Sequence, residues 1–271
     1  MGRRKWDWTK AKLERYMKEG RGKGSGKSYK PWITIKDFPS RARVSRSPGW
    51  KSDRVHHFMS DWELRFFYLL EWSDAVKDIR EQYPLLDLDL AFSIADEMGI
   101  EYPKDKNSGV AYVLTTDFML TVHQGNKLVQ IARTVKLAKE LEKTRVVEKL
   151  YLEKCYWERQ NVNWAVVTEQ EISKIFADNI KWVHPAYYWE LPRENNNEHC
   201  HYLSNILKDR LNSKRSKIST ITTTLDRDMG FESGTSLSLF KHLIARKEII
   251  LDMNKAKISS NSSASIIKEI M

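Results

Sequence analysis

Hydrophobic spacing over the first 170 residues switches repeatedly between a helical period and a strand period. Helices are predicted at 9–19, 60–72, 88–98 and 138–160. Strands are predicted at 76–83, which Pro84 ends, and at 164–167, which is apolar enough for a buried position. Strands that alternate with helices indicate an α/β layer for this part of the chain.

A β-hairpin is predicted from strands at 113–122 and 128–136, joined by a four-residue loop at 124–127. This loop pairs residue 123 with 128 and sets Asp117 opposite Thr134, on the face that also holds Lys136. That face carries Thr115, Thr121, Gln130 and Ala132, while the other collects Phe118, Leu120, Val122, Val129, Ile131 and Val135. A slip of one residue would mix the two sets, so the pattern favours this register.

Beyond residue 170 the pattern changes to short helices at 171–180, 198–212, 218–229 and 235–246, followed by a strand at 249–251. Three helices and a strand favour a small winged-helix-like module. We therefore expect two domains, 1–170 and 171–271, with a linker at 185–197 or slightly earlier. The serine-rich segment 259–265 is expected to be loose.

The composition excludes several classes of protein. A hydrophobic content of 41% in 271 residues indicates a folded chain. No apolar run approaches the roughly 18 residues of a membrane span, and the first residues lack a signal-peptide core. We expect a cytoplasmic bacterial protein without membrane contact. Cys155 and Cys200 cannot build a disulfide framework or a four-cysteine zinc site.

Charge is concentrated at the start of the chain. Residues 1–57 hold 17 Lys and Arg against 5 Asp and Glu, whereas the remainder is close to neutral. Such a basic end attracts a polyanion, because each neutralised phosphate releases counterions. The same segment carries Trp6, Trp8, Tyr16, Tyr29, Trp32 and Trp50. Basic residues interleaved with aromatic ones favour a nucleic-acid-binding arm over a solvated tail.

Three other patterns carry weaker signals. The glycine-rich run 22–28 lacks the first glycine and the preceding strand of a nucleotide-binding loop, so a flexible basic loop is expected. Residues 198–201 do not have zinc-ligand spacing and are expected to begin a helix. The adjacent His56 and His57 are expected to contact phosphate or to pack in the interior.

Asp117 and Lys136 are the candidates for chemistry. Hydrolysis of a phosphodiester needs carboxylates that hold Mg²⁺ and a cation that stabilises the developing charge. An Asp followed by a Lys on a hairpin is typical of restriction-type nucleases, but a solvated strand face explains the same spacing. Glu63 can supply a further carboxylate. It also fits a capping box with Ser60, and the residues alone favour the cap.

Several short motifs together resemble the TnsA family, the endonuclease subunit of heteromeric transposases of Tn-seven-like elements. They run in order over residues 12–170: EGRGKG at 19–24, PW at 31–32, RVHH at 54–57, SDWEL at 60–64, LEW at 70–72, DIREQYPL at 78–85, TDF at 116–118, VK at 135–136, EKL at 148–150 and YW at 156–157. The last hundred residues resemble the family mainly in predicted architecture.

The resemblance implies a restriction-endonuclease-like core with catalytic residues at Glu63, Asp117 and Lys136. Glu63 and Asp117 would bind Mg²⁺, and Lys136 would assist at the phosphate. Where the family has a metal-binding glutamine, this chain has Thr134, so the neighbouring carbonyl of Val135 is expected to coordinate instead. Glu153 aligns with another acidic position of the family, but the sequence is explained equally well if Glu153 is a solvated helix residue.

The family also implies a division of labour on double-stranded DNA at the transposon ends. TnsA-like subunits cut the 5′ ends, the DDE transposase TnsB cuts and joins the 3′ ends, and the AAA+ ATPase TnsC regulates both. The winged-helix part is then the expected contact with TnsC. A stand-alone restriction or repair nuclease, and a non-catalytic DNA-binding adaptor, remain alternatives.

Overall fold

The protein forms two compact units, residues 1–172 and 173–271. The computed structural model describes residues 7–37, 43–189, 197–212 and 216–271, without the side chains of 197–199. Within these ranges, no helix combines the length and the apolar character needed to cross a bilayer.

The first unit is built around a mixed four-stranded sheet. Its elements are α1 (Lys10–Lys18), β1 (Ser45–Pro48), β2 (Val55–Phe58), α2 (Asp61–Trp72), β3 (Val76–Pro84), α3 (Leu88–Glu97), β4 (Thr115–Gln124), β5 (Lys127–Val135), α4 (Thr144–Arg159) and β6 (Asn163–Val167). The sheet order is β3-β4-β5-β6, with β6 parallel to β5 and the other pairs antiparallel. The predicted α/β layer is confirmed.

Two elements differ from their predictions. The expected helix at 138–160 is divided into a 3-10 turn, Ala138–Glu142, and α4, because Lys143 between them has an extended backbone. The pair β1–β2 forms an antiparallel hairpin where no strand was predicted. Its residues are mostly polar, so no alternation of apolar side chains marked it.

The predicted hairpin register is confirmed. Phe118 pairs with Arg133, and every following pair keeps that register down to Gln124 with Lys127. The turn itself is shorter than predicted, because Gly125 and Asn126 alone connect the strands. Gly125 has a left-handed backbone, φ 59°, which a two-residue hairpin turn of this kind favours.

Both faces of the sheet are covered near the hairpin. Met119 and Ala132 pack against α3 and α4, in a cluster that includes Leu152 and Tyr156. On the opposite face the ring of Phe118 lies 6.2 Å from that of Phe58 on β2 and 5.5 Å from that of Phe66 on α2. Polar side chains at this end of the sheet are therefore enclosed and need partners within the protein.

The expected nucleic-acid role is wrong for Trp8, Tyr16 and Trp32, three of the aromatic residues near the start of the chain. Trp8, Tyr16 and Trp32 are buried, and their rings meet edge to face at 5.4–6.2 Å. Trp8 also donates from Nε1 to the carbonyl of Ala111. Arg21 lies over the ring of Tyr16 and pairs internally with an aspartate. Tyr16 on α1 packs with Trp8 and Trp32, so these rings belong to the core. Trp6 lies outside the described residues.

Trp32→Ala should lower the free energy of unfolding by about 3–5 kcal/mol, since it empties the centre of this cluster. Urea unfolding followed by circular dichroism measures the change. Met17→Ala, on the exposed side of α1, is the control and should cost under about 0.5 kcal/mol. Normal stability of Trp32→Ala with weakened DNA binding would instead support a nucleic-acid role for the ring.

The second unit comprises α5 (Lys174–Val183), α6 (Asn197–Asn212), α7 (Ile218–Met229), α8 (Thr235–Ala245) and a two-stranded antiparallel sheet, β7 (Ile249–Leu251) with β8 (Ile267–Ile270). The helices share a buried face that includes Leu207, Leu225 and Phe240. Asp226, near the end of α7, accepts from the backbone N–H groups of Gly234 and Ser236 and so fixes the turn into α8.

Two expectations for this unit need correction. The serine-rich segment is not loose: the Ser262 hydroxyl accepts the N–H of Ser259, the Ser263 hydroxyl accepts the N–H of Ser265, and Ala264 is fully buried. Serine hydroxyls can satisfy backbone groups in irregular segments, which composition does not reveal. The expected linker is also misplaced at its start, because His242 donates to the carbonyl of Ala186 within the second unit. Residues 190–196 lie outside the described part.

Candidate active site

Asp117 lies on β4, one residue beyond the last ladder pair with β5. Its Oδ2 accepts the backbone N–H of Val135 at 2.8 Å and the ammonium of Lys136 at 3.1 Å. The same ammonium donates to the carbonyl of Val135 at 3.0 Å. Asp117 and Lys136 therefore lie on the same side of the sheet, as the register predicted.

Lys136 remains charged in this enclosed position. Burial opposes its charge, but Asp117 and then Glu153 outweigh burial and raise the pKa of the ammonium. The ammonium bridges two oxygens, Asp117 Oδ2 and Val135 O, that the sequence assigned to a metal ion. A cation thus already occupies a position between these oxygens.

Near Gln82, the side chains of β3 stop alternating between the two faces of the sheet. Glu81 accepts from the β1–β2 hairpin, whereas Tyr83, two residues later, packs against α4 and pairs with Thr116. Gln82, between them, has a left-handed backbone with φ 49°. The flanking pairs place Gln82 across from Asp117. The left-handed backbone of Gln82 therefore lies directly across from Asp117 on the neighbouring strand.

Glu63 stands in the first turn of α2 and serves as its cap. Ser60 Oγ accepts the N–H of Glu63 at 3.1 Å and donates to Glu63 Oε1 at 2.9 Å, while the N–H of Met59 donates to Oε2 at 2.9 Å. Burial, and then repulsion from Asp117, raise the pKa of Glu63 to about 8. The helix cap is confirmed, and the role of the same carboxylate as a metal ligand stays a prediction.

Glu153, on α4, is buried rather than solvated. Its Oε1 accepts from Thr116 Oγ1 at 2.7 Å, from Trp164 Nε1 at 2.9 Å and from the hydroxyl of Thr134. Burial raises its pKa to about 7. Because Thr116 and Thr134 reach one oxygen, the strict alternation predicted for the hairpin does not extend to its end. The proton of the Thr134 hydroxyl is directed at Glu153.

A cavity of about 630 Å³ opens over these groups. Its lining includes Glu63, Glu153 and the segment 134–136, together with Trp62 and Lys149. Asp117 is not part of that lining, whereas Lys136, which contacts it, is. The cavity lining therefore includes three acidic residues, Glu63, Glu140 and Glu153, and two cationic ones, Lys136 and Lys149.

The donors suit a hard divalent cation. Mg²⁺ prefers carboxylate and carbonyl oxygens, which Glu63, Asp117 and Val135 supply. Burial, and then the charge of Asp117, raise the pKa of Glu63, and a cation beside this carboxylate would favour its ionised form. Across the described residues, no group of three or more His, Cys, Asp and Glu side chains stands ready to hold a metal. The oxygen donors present are compatible in type with a hard divalent cation.

The weaker patterns of the sequence are structural where the structure describes them. His56 is fully buried, with Nδ1 2.8 Å from Glu81 Oε2 and Nε2 2.6 Å from Ser52 Oγ. The glycine-rich loop is tied down by Gly26 N–H, which donates to Asp78, and Lys27 pairs with Asp53. The side chains of Glu198 and His199 lie outside the described residues.

Comparison with known proteins identifies the family of the chain. The family model for the TnsA-like endonuclease N terminal matches residues 73–169, and that for the TnsA endonuclease C terminal matches residues 171–253. Transposon Tn7 transposition protein TnsA of Escherichia coli is 40% identical over 187 residues, which cover 69% of this chain and 67% of the relative. Asp117 and Lys136 fall within the first match, and Glu63 precedes it. The chain belongs to the TnsA family of transposition endonucleases.

Proposed function

We propose that this chain is a Mg²⁺-dependent endonuclease subunit that cuts the 5′ ends of a transposon. The contact of Lys136 with both Asp117 and Val135, beside Glu63 in one cavity, carries the proposal. We assign the first unit to a restriction-endonuclease-like catalytic domain, since its mixed sheet bears these residues where a hairpin ends.

The proposed roles follow from position. Glu63, Asp117 and the carbonyl of Val135 hold Mg²⁺, which when bound polarises the phosphate and favours hydroxide formation. Lys136 is held by Asp117 and is the cation available to the phosphate as its negative charge grows. Met59 and Ser60 fix the Glu63 carboxylate through three hydrogen bonds of the α2 cap.

The proposed substrate is double-stranded DNA at the transposon ends. The charge of the first 57 residues favours a phosphate backbone. Burial of Trp8, Tyr16 and Trp32 removes these rings from DNA contact, so this part of the chain acts through its lysines and arginines. Binding should then weaken steeply with salt and depend little on base sequence.

We assign the second unit to a winged-helix-like module, on the strength of α6, α7 and α8 followed by the β7–β8 pair. Its proposed partner is the AAA+ ATPase TnsC, while the DDE transposase TnsB cuts and joins the 3′ ends. These partners come from the family resemblance, and binding assays with each purified protein are their test.

A strand-resolved assay tests the function. Transposon-end duplexes labelled on either strand are incubated with this protein, the partner transposase and the ATPase, with Mg²⁺ or with EDTA. The expected result is Mg²⁺-dependent cutting at the 5′ ends that requires this chain. Site-specific cutting by the isolated protein would favour a stand-alone nuclease, and unchanged cutting without it would favour an adaptor.

Metal binding should release a proton at neutral pH. A carboxylate whose pKa is about 8 is protonated at pH 7 and must ionise to bind Mg²⁺. Affinity should therefore rise with pH through about 8 and level off above it. Between about pH 4.5 and 8, the metal-free folded protein holds a proton on Glu63 that the unfolded chain has lost. Its free energy of unfolding should therefore fall as pH rises through this range.

Titration calorimetry in buffers of different ionisation enthalpy measures the released proton. Glu63→Gln is the control, since it cannot ionise and should abolish both the proton release and most of the binding. Proton-free Mg²⁺ binding at pH 7 in the unaltered protein would contradict the prediction.

A further inference from the structure

Gln82 is a buried residue in contact with two residues of the cavity lining, and the proposed chemistry gives it no role. Gln82 is only 4% exposed. The amide oxygen accepts from Thr115 Oγ1 at 3.1 Å, and the amide nitrogen donates to Glu63 Oε2 at 3.4 Å. Thr115 and Glu63 both line the cavity. The amide therefore joins the wall of the cavity to its buried carboxylate.

The backbone of Gln82 is held in an unfavourable conformation. A φ of 49° is left-handed, and a residue other than glycine adopts it there only when its surroundings impose it. Its carbonyl accepts the N–H of Trp32 at 3.2 Å. The preceding residue, Glu81, is fixed by Arg54 and His56, and the following one, Tyr83, stacks on Tyr29. These anchors hold the turn in place.

The left-handed backbone of Gln82 changes the direction of its side-chain amide. Alternation along β3 breaks at Gln82, because Glu81 contacts the β1–β2 hairpin whereas Tyr83 packs on the α4 side. The side chain of Gln82 reaches Glu63 in the first turn of α2, which covers the same face of the sheet as β2. An amide suits this place, because it can donate to a carboxylate without neutralising it, as an ammonium would.

We propose that Gln82 is a positioning residue that orients the Glu63 carboxylate for the divalent cation. The inference rests on the proposed metal-dependent function. Glu63 Oε1 is fixed by Ser60, and Oε2 receives the N–H of Met59 together with the Gln82 amide. The cap alone restrains the carboxylate from the helix side, and Gln82 restrains it from the sheet.

Two matched variants separate positioning from packing. Gln82→Met keeps the side-chain volume but deletes the donor to Glu63, whereas Thr115→Val deletes the hydrogen bond on the other side of the same amide. Mg²⁺ affinity at 25 °C and Tm in EDTA are measured for both. Each variant breaks the Gln82–Thr115 bond, so both should lose some thermal stability.

Only Gln82→Met should lose metal affinity strongly, by about 10–100-fold, the usual effect of removing a group that orients a ligand. Thr115→Val should lose less than about 3-fold. If Gln82→Met does not fold, Gln82→Gly removes the same amide and adopts the left-handed backbone freely. Unchanged affinity in the Gln82 variant, or equal losses in both variants, would overturn the inference.

Asp117→Asn, titrated alongside, tells the two failures apart. If the unaltered protein binds Mg²⁺ no better than Asp117→Asn, the proposed function fails and this inference fails with it. If binding depends on Asp117 but Gln82→Met binds like the unaltered protein, only the role of Gln82 is lost.

Discussion

Asp117→Asn should lower cutting at the 5′ ends by about 10²–10³-fold or more, while joining at the 3′ ends continues. The amide keeps the shape of the side chain and can still accept from Val135, but it lacks the charge that attracts Mg²⁺. Lys136 also loses its ionic partner. The strand-resolved assay with all partners measures both cuts in one reaction.

Asp78→Asn is the matched control for this change. Asp78 is a carboxylate of the same sheet that pairs with Arg80 and accepts the N–H of Gly26, whereas Asp117 contacts Lys136 and Val135. Asp78→Asn should reduce stability without altering the strand that is cut. Near-normal 5′ cutting by Asp117→Asn would remove Asp117 from the catalytic set. Loss of 3′ joining in a complex that still assembles would show that the two activities are not independent.

Lys136→Met is expected to separate metal binding from cutting. The ammonium lies between Asp117 Oδ2 and Val135 O, so it competes with a metal ion for the same oxygens. Without it, Mg²⁺ affinity should rise about tenfold, equivalent to about 1.4 kcal/mol. Cutting should nevertheless fall by about 10²–10³-fold, because the ammonium proposed to stabilise the growing charge on the phosphate is gone. Titration calorimetry and the cleavage assay report the two effects.

Lys149→Met controls for the general loss of positive charge at the cavity. Lys149 lines the same cavity, and burial lowers its pKa, with Arg145 adding to the effect. Its removal should change Mg²⁺ affinity much less than removal of Lys136. Equal gains in Mg²⁺ affinity in both variants would mean that the total positive charge around the cavity, and not competition at Asp117, limits metal binding. Weaker binding in Lys136→Met would exclude competition.

The sequence by itself determined the hairpin register and the helix cap. Only one register keeps Phe118, Leu120 and Ile131 together on one face, and burial of that face selects it. Ser60 and Glu63 stand at capping-box spacing, a local interaction that needs no other part of the chain. Family membership likewise followed from short motifs in a fixed order, and the comparisons confirmed it.

Tertiary structure decided which polar and aromatic residues are enclosed. Trp8 and Trp32 looked like nucleic-acid ligands, yet partners distant in sequence, such as Ala111, make them core residues. Glu153 looked equally like a solvated helix residue until α4 packed on the sheet and buried it. Neither local spacing nor composition carries such long-range contacts.

The site shows the same division between local and long-range information. Asp117 and Lys136 could be placed on one face by counting along two adjacent strands. The role of Gln82 could not, because it depends on a left-handed turn that breaks the alternation on which the counting relies. That turn is held by Trp32, Arg54 and His56, which reach Gln82 or its neighbour Glu81 only in the folded protein. Alternation is a property of an undistorted strand, and it fails where tertiary contacts impose another backbone conformation.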